Sequence, residues 1–314
     1  MATQNPLNKI GQSDRAQRLR ESARQASIKI GESGRTVLRN DMAKVGMFLI
    51  VTFVVMAVFA PQIAPHEPQE RVITEDGSWV KNHPPSLEYP FGTTSQARPV
   101  FSQVVWGSRV AFMMGLLTAG IVGGIGSIVG LVAGYYGGNL ELTLMRIVDV
   151  AYGVPFLPFV IVLIMVIGEG SIINMAVAIS LLLWRNTARV IRSEVVSIKE
   201  QPMIDAARAS GASNSRIIML HIFPKVLPIT LLYSIFAVGW AIIAEAGLSF
   251  IGLGDPGTVS WGKTLNLAHV NQALSQGVWW WFIPPGVAIV LFVMSAYLVA
   301  QGIEEVVNPQ LREY

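Results

Sequence analysis

Residues 110–140 read VAFMMGLLTAGIVGGIGSIVGLVAGYYGGNL, a run without a single charged side chain. A helix needs about 20 mostly apolar residues to cross the hydrocarbon core of a bilayer. Hydrocarbon offers no partner to backbone amides, so a spanning segment is either a helix or part of a closed barrel, and the alternation typical of barrel strands is absent. The run therefore predicts a membrane-spanning helix.

Other apolar runs repeat this pattern along the chain. The sequence is 52% hydrophobic and only 14% charged, whereas soluble domains carry roughly 25% charged residues. These features predict an all-α integral membrane protein with six transmembrane helices. The predicted spans are about 44–64, 110–136, 147–168, 171–191, 226–248 and 281–303, with polar tails over 1–43 and 304–314.

The basic residues predict how these helices are oriented. Of the 23 Lys and Arg residues, nine lie in 1–44 and seven in 185–225, whereas four lie in 65–109 and one in 249–280. Cytoplasmic segments of membrane proteins carry the excess of positive charge. Both termini and 185–225 are therefore expected in the cytoplasm, and the other two loops outside. The net charge of +3 is in this interpretation a topology signal and indicates no nucleic-acid partner.

A polar segment, QPMIDAARASG at 201–211, interrupts the apolar runs on the predicted cytoplasmic side. Pro202 suits the first helical position and Gly211 suits the position just past the end, so a short helix is expected between them. One face of this helix combines small side chains at i, i+3, i+4 and i+7, namely Met203, Ala206, Ala207 and Ser210. Such a face could dock in a groove on another protein or rest on its own helical bundle.

A second short helix is expected directly after this segment. Ser213 can cap its first turn, and Pro224 is predicted to end it after Phe223.

Three glycines, Gly126, Gly130 and Gly134, share one face of the second predicted span. Small residues at this spacing allow two helices to approach closely, although glycine is also simply frequent in membrane helices.

Two further features are candidates for a translocation path or gate. Pro155 and Pro158 are expected to break the third span, and a broken helix either lines a cavity or is a structural kink. Glu245 is a carboxylate near the outer end of the fifth span, where it should find a partner. Its role could be functional or structural. Arg185, Arg189 and Arg192 form a basic stripe that is expected to reach lipid headgroups, with protein docking as the alternative.

No catalytic or metal centre is predicted. The chain has no cysteine and four scattered histidines, and His66 and His83 lack a third ligand at a useful spacing. Residues 257–264, GTVSWGKT, spell the phosphate-loop pattern, but they follow a predicted span and a turn rather than a strand. Nucleotide binding is therefore not expected there.

Several motifs together resemble a known family. The segment Asp205–Gly211, followed by 217–224, resembles the EAA loop of ABC importer permeases. The motifs FGT at 91–93, VWGSR at 105–109, AEAGLSFIGLG at 244–254 and SWG at 260–262 are similar to the C-type permease of dipeptide, oligopeptide and nickel importers. Asp205 stands where that family usually has glutamate, and residues 96–99 and Phe223 also depart from its pattern.

The resemblance implies a type I ABC importer permease fold in a prokaryotic cell membrane, with a core of five helices over 110–303 and a cytoplasmic coupling loop over 195–225. It implies partners: a homologous B-type permease, two cytoplasmic ATPase subunits that bind ATP and Mg²⁺, and an extracytoplasmic substrate-binding protein. This chain would then bind no cofactor and have no ATPase site of its own. The implied ATPase-coupling residues are Pro202, Met203, Asp205, Ala206, Ala207, Ser210, Gly211 and Pro224.

Di- or oligopeptides are the expected substrates, and oligosaccharides, glutathione or nickel chelates are alternatives within the same class. A secondary transporter or channel would instead need ion-relay residues at mid-membrane. A membrane-embedded enzyme would need a cluster of His, Asp or Glu.

Overall fold

The computed structural model describes residues 40–168 and 170–307 of the 314-residue chain. Within these residues every regular element is a helix, and extended pairing is limited to isolated bridges in the segment 65–99. The predicted N-terminal tail up to residue 39 and the C-terminal tail from residue 308 lie outside the described residues. The all-α prediction is confirmed for the described part of the chain.

The α-helices are, in chain order, α1 (Asp41–Val58), α2 (Ala60–Ile63), α3 (Val100–Tyr136), α4 (Gly138–Gly153), α5 (Phe156–Ile167), α6 (Ile172–Lys199), α7 (Pro202–Ala209), α8 (Asn214–Ile217), α9 (Phe223–Phe250), α10 (Trp261–Val270) and α11 (Ile283–Val307). A π-helical turn, Ile218–Ile222, joins α8 to α9, and a 3₁₀ turn, Trp279–Trp281, precedes α11.

The described helices give fewer candidate membrane spans than the six predicted. Four stretches are long and apolar enough to cross a bilayer, and α4 with α5 makes a fifth if this bent pair is one span. The four are Asp41–Val58, Val100–Tyr136, Asn214–Phe250 and Trp279–Glu305. The predicted span 171–191 lies in α6, which is not in that set because Arg185 and Arg189 interrupt its apolar run.

Helix α3 begins at Val100, well before the predicted start at 110. Its first turns carry the polar residues Ser102, Gln103 and Ser108, all buried in the fold. Because these side chains and Arg109 broke the apolar run, the hydropathy pattern placed this part in the loop 65–109.

The predicted break of the third span is present as a sharp bend. Helix α4 ends at Gly153, α5 begins at Phe156, and their axes differ by 96°. Pro155 occupies the N-cap of α5. Pro158 lies in the first turn of α5, where a missing amide proton breaks no intrahelical hydrogen bond.

Pro224 does not end the helix that Ser213 caps, so this prediction was wrong. Pro224 lies in the first turn of α9, and the helix continues through the π turn that precedes it. The backbone N–H of Phe223 donates to the carbonyl of Ile218, which is the wider spacing of a π turn. Pro224 has no amide proton to donate, and with this wider turn before it the helix continues without a break.

Helix α3 is the centre of the bundle and packs along α6, with α9, α1 and α4 also against it. Two separate clusters of buried side chains form the core. The larger one surrounds Met114, Trp261 and Trp281. The smaller one lies at the other end of α6, around Ile198, Ile204 and Ile222.

Candidate functional site

The polar segment 201–211 folds as the short helix α7. Pro202 occupies its first turn, and Gly211 follows its end with a φ of +76°, a conformation that favours glycine. The amide of Gly211 donates to the carbonyl of Arg208 at 2.9 Å, and that of Ala212 donates to the carbonyl of Ala207 at 3.1 Å. These bonds close the C-terminus of α7 and return the chain towards α8.

The main attachment of α7 to the bundle is one buried side chain. Ile204 is fully buried in the smaller core cluster, where it joins Ile198 of α6 and Ile217 of α8. Ala207 packs at the edge of this cluster. The remaining small residues of the predicted face, Ala206 and Ser210, are exposed.

The exposed side chains of α7 make few contacts, and most of these contacts are polar. Asp205 and Arg208 approach to 3.5 Å as an exposed pair on one helix face, a type of contact that contributes little to stability. The Lys225 amine contacts Met203 at 2.9 Å and also bonds Gln201. Met203 remains 41% exposed, so α7 presents a mostly uncovered outer surface.

The glycine face of α3 lies directly on α6. A Cβ on Gly126 would be 2.6 Å from Thr187, and a Cβ on Gly130 or Gly134 would be 2.7 Å from a side-chain carbon of α6. Those partners are Ile191 and Val195. Such distances leave no room for a side chain, so α3 and α6 pack backbone against backbone at these three positions.

The basic stripe of α6 contacts α4 within the same chain, and its contact with lipid headgroups stays a prediction. Arg189 pairs with Asp149 at 2.8 Å, and Arg192 donates from Nε to Glu141 at 2.7 Å. Arg185 donates at 2.8 Å to the carbonyl of Ala151, in the last turn of α4. Cations at this end of a helix offset its terminal carbonyls.

A groove of about 470 Å³ opens beside the bend between α4 and α5. Its polar lining includes Arg185 and Asn186. Its aromatic lining consists of Tyr152, Phe156, Tyr233, Phe236 and Trp240. Sequence reasoning missed this set, although the three α9 members recur at i, i+3 and i+7 and therefore share one helix face.

Glu245 is buried at the junction of α9 and α10 and does not line this groove. The hydroxyl of Ser249 donates to its carboxylate at 2.6 Å. Beside it, a Cβ on Gly262 would be 2.6 Å from the Cα of Ala246. The structure thus separates Glu245 from the bend at Pro155 and Pro158, and places it where two helices touch.

Lys263, the lysine of the phosphate-loop pattern, binds the loop that precedes α10. Its amine donates to the carbonyls of Asp255 at 3.1 Å, Pro256 at 2.5 Å and Thr258 at 2.9 Å. Burial lowers the pKa of Lys263, and the nearby Asp255 carboxylate partly opposes that change. Residues 257–264 therefore form the end of a loop and the first turn of α10, which Ser260 caps. No group of three His, Asp or Glu side chains within the described residues could hold a metal ion.

Comparisons with known proteins place the chain in a family. Residues 126–313 match the family described as "Binding-protein-dependent transport system inner membrane component". Residues 31–85 match the "N-terminal TM domain of oligopeptide transport permease C".

Relatives agree with these family matches. The dipeptide transport system permease protein DppC of Bacillus subtilis is 33% identical over 90% of this chain and 86% of its own length. The glutathione transport system permease protein GsiD of Escherichia coli is 32% identical over 90% of both chains. A putative peptide transport system permease protein of Brucella abortus is 30% identical over 89% of this chain and 92% of its own. The chain therefore belongs to the binding-protein-dependent transport system inner membrane components, the permease subunits of ABC importers.

Proposed function

We propose that this chain is the C-type permease of an ATP-driven importer of di- or oligopeptides and forms half of its translocation path. A homologous B-type permease supplies the other half, two cytoplasmic ATPases bind ATP and Mg²⁺, and a substrate-binding protein docks outside. The relatives named for dipeptide, peptide and glutathione transport support a peptide substrate. Glutathione is itself a tripeptide, so the same chemistry includes that alternative.

The observation that carries the proposal is the exposed helix α7 with its single buried anchor. A short helix that projects from the bundle, with one isoleucine inside and small side chains outside, has the shape of a lever that docks on another subunit. Its outer residues are Met203, Asp205, Ala206 and Ser210, which are exposed. Movement of the docked partner would reach α6 and α9 through Ile204 and the cluster around it.

The proposed topology needs six crossings, with both termini in the cytoplasm. Helix α6 would then cross as well as the bent pair α4–α5. The ion pairs of Arg189 and Arg192 with α4 reduce the cost of placing these charges near the bilayer. The concentration of Lys and Arg in 1–44 and 185–225 supports a cytoplasmic position for α7.

An Ala206→Trp variant tests whether α7 docks on an ATPase. Ala206 is exposed, so the indole should contact no other part of this chain. The permease should therefore remain inserted and folded. We expect the purified complex to lose its ATPase subunits and its ATP-driven peptide uptake. Asp76→Trp, at an exposed site in the segment 65–99, is the matched control and should keep both ATPases. Full retention of the ATPases by Ala206→Trp would show that α7 is not the docking helix.

A further inference from the structure

The groove beside the bend of α4 and α5 contains a cation whose charge is not balanced within the described residues. Arg189 and Arg192 of the α6 stripe each pair with a carboxylate of α4. Arg185, the third member, bonds only a neutral backbone carbonyl and makes no ion pair within residues 40–168 and 170–307. The groove thus has a local positive charge with no carboxylate of its own.

The guanidinium of Arg185 is held in place by α4. Nη1 donates to the Ala151 carbonyl at 2.8 Å, and the guanidinium carbon lies 4.8 Å from the ring centroid of Tyr152. An arginine has five N–H donors, and within the described residues this is its one hydrogen bond. A guanidinium fixed in this way suits a carboxylate, which it can bind with two parallel hydrogen bonds.

The walls of the groove suit an apolar or aromatic side chain. Trp240 is 65% exposed, and Tyr233 and Phe236 share its face of α9. The volume of about 470 Å³ lies in the range of small-ligand sites. It therefore fits the end of a peptide and is too small for a long one.

We propose, on the basis of the proposed function, that this groove binds the C-terminal end of a peptide in transit. Arg185 binds the terminal carboxylate, and the aromatic walls contact the last side chain. One partly buried arginine acting alone gives a weak site, which suits a path that the cargo must both enter and leave.

A single-cysteine experiment tests this site directly, because the chain has no cysteine of its own. Asn186 lines the groove and is exposed, so Asn186→Cys should react with a small water-soluble thiol reagent in the assembled complex. Labelling is followed on this chain by mass spectrometry. The probe is the tripeptide Ala-Ala-Phe as free acid, compared with its C-terminal amide.

We expect the free acid to protect the cysteine at concentrations about tenfold lower than the amide, because the amide lacks the charge-assisted hydrogen bonds. Adding Arg185→Gln should remove this difference between acid and amide. Adding Arg192→Gln should preserve it, because Arg192 pairs with Glu141 and neither residue lines the groove. Ser78→Cys, exposed in the segment 65–99, should react equally with and without peptide.

A second variant tests the aromatic wall without risk to the fold. Trp240→Ala removes a largely exposed ring and should weaken protection by Ala-Ala-Phe while leaving protection by Ala-Ala-Ala unchanged.

Three results would overturn the site. These are equal protection by acid and amide, protection that persists with Arg185→Gln, and a cysteine that never reacts because another subunit or lipid covers the groove. A complex that imports peptide yet gives one of these results removes only this inference. A wild-type complex that imports no peptide removes the proposed function itself.

Discussion

Two short helices, α7 and α10, join long helices of the bundle, and they are attached in opposite ways. Helix α7 has one buried residue, Ile204, and no side-chain bond at its N-cap. Helix α10 is capped by Ser260 and buries Trp261, Gly262, Thr264 and Ala268. The indole of Trp261 also donates to the carbonyl of Val104 in α3 at 2.9 Å. The difference indicates that α10 is a fixed part of the core, whereas α7 is held by one buried side chain and a few exposed contacts.

Ile204→Ala is expected to have the largest effect on the attachment of α7, because it removes the only buried side chain of this helix. Truncating a buried isoleucine costs about 3 kcal/mol, and here that cost falls on the attachment of α7 to the bundle. We expect faster hydrogen exchange over residues 202–211 and unchanged exchange in α10. Leu220→Ala, at a side chain that is 59% exposed, is the control. Slow exchange in α7 of Ile204→Ala would mean that other contacts hold it.

Gly262→Ala tests whether α10 is fixed against the core. The new Cβ would be 2.6 Å from the backbone of Ala246, so α10 has to move away from α9. Overpacking of this kind costs about 2 kcal/mol, which should lower the thermal unfolding temperature of the purified protein. Gly247→Ala, on α9 with nothing within 4 Å of its Cβ position, makes the same chemical change. Equal unfolding temperatures for the two variants would contradict the close contact.

Gly211→Val tests the turn that ends α7. The φ of +76° strains a β-branched residue by about 1–2 kcal/mol. The space around Gly211 is open, so the strain is purely conformational. We expect insertion in the membrane to persist and ATPase stimulation by the loaded binding protein to be lost. Gly211→Asn should keep most of the stimulation, since asparagine tolerates this conformation. Normal transport by Gly211→Val would remove the coupling role of this turn.

Trp261→Phe is expected to have the smallest effect. It keeps an aromatic ring in the core and removes the hydrogen bond to Val104, which is worth about 1 kcal/mol. Thermal unfolding should occur a few degrees lower, with peptide transport unchanged. Trp279→Phe, at a half-exposed ring, should leave the unfolding temperature as it was. A loss of transport without a loss of stability in Trp261→Phe would give α10 a role beyond support.

Local signals in the sequence were sufficient for much of the fold and for α7. Pro202 and Gly211 mark the ends of α7 because a missing amide and a positive φ are requirements of single residues. Ser213 caps α8 by accepting from the amide of Arg216 for the same reason. Hydropathy found the apolar helices but not the first turns of α3, since the partners that bury Gln103 and Ser108 are distant in sequence.

The sequence by itself determined that the chain is helical, that it is rich in apolar spans, and that a short polar helix interrupts them. These properties depend on residues that are close to one another along the sequence. Only the tertiary structure decided that Arg189 and Arg192 pair with α4, that Pro224 continues a helix through a π turn, and that Arg185 lines the same groove as five aromatic rings. The ion pairs and the groove depend on which helices touch and at what angle. The 96° bend between α4 and α5 is one such angle, and no local pattern specifies its size.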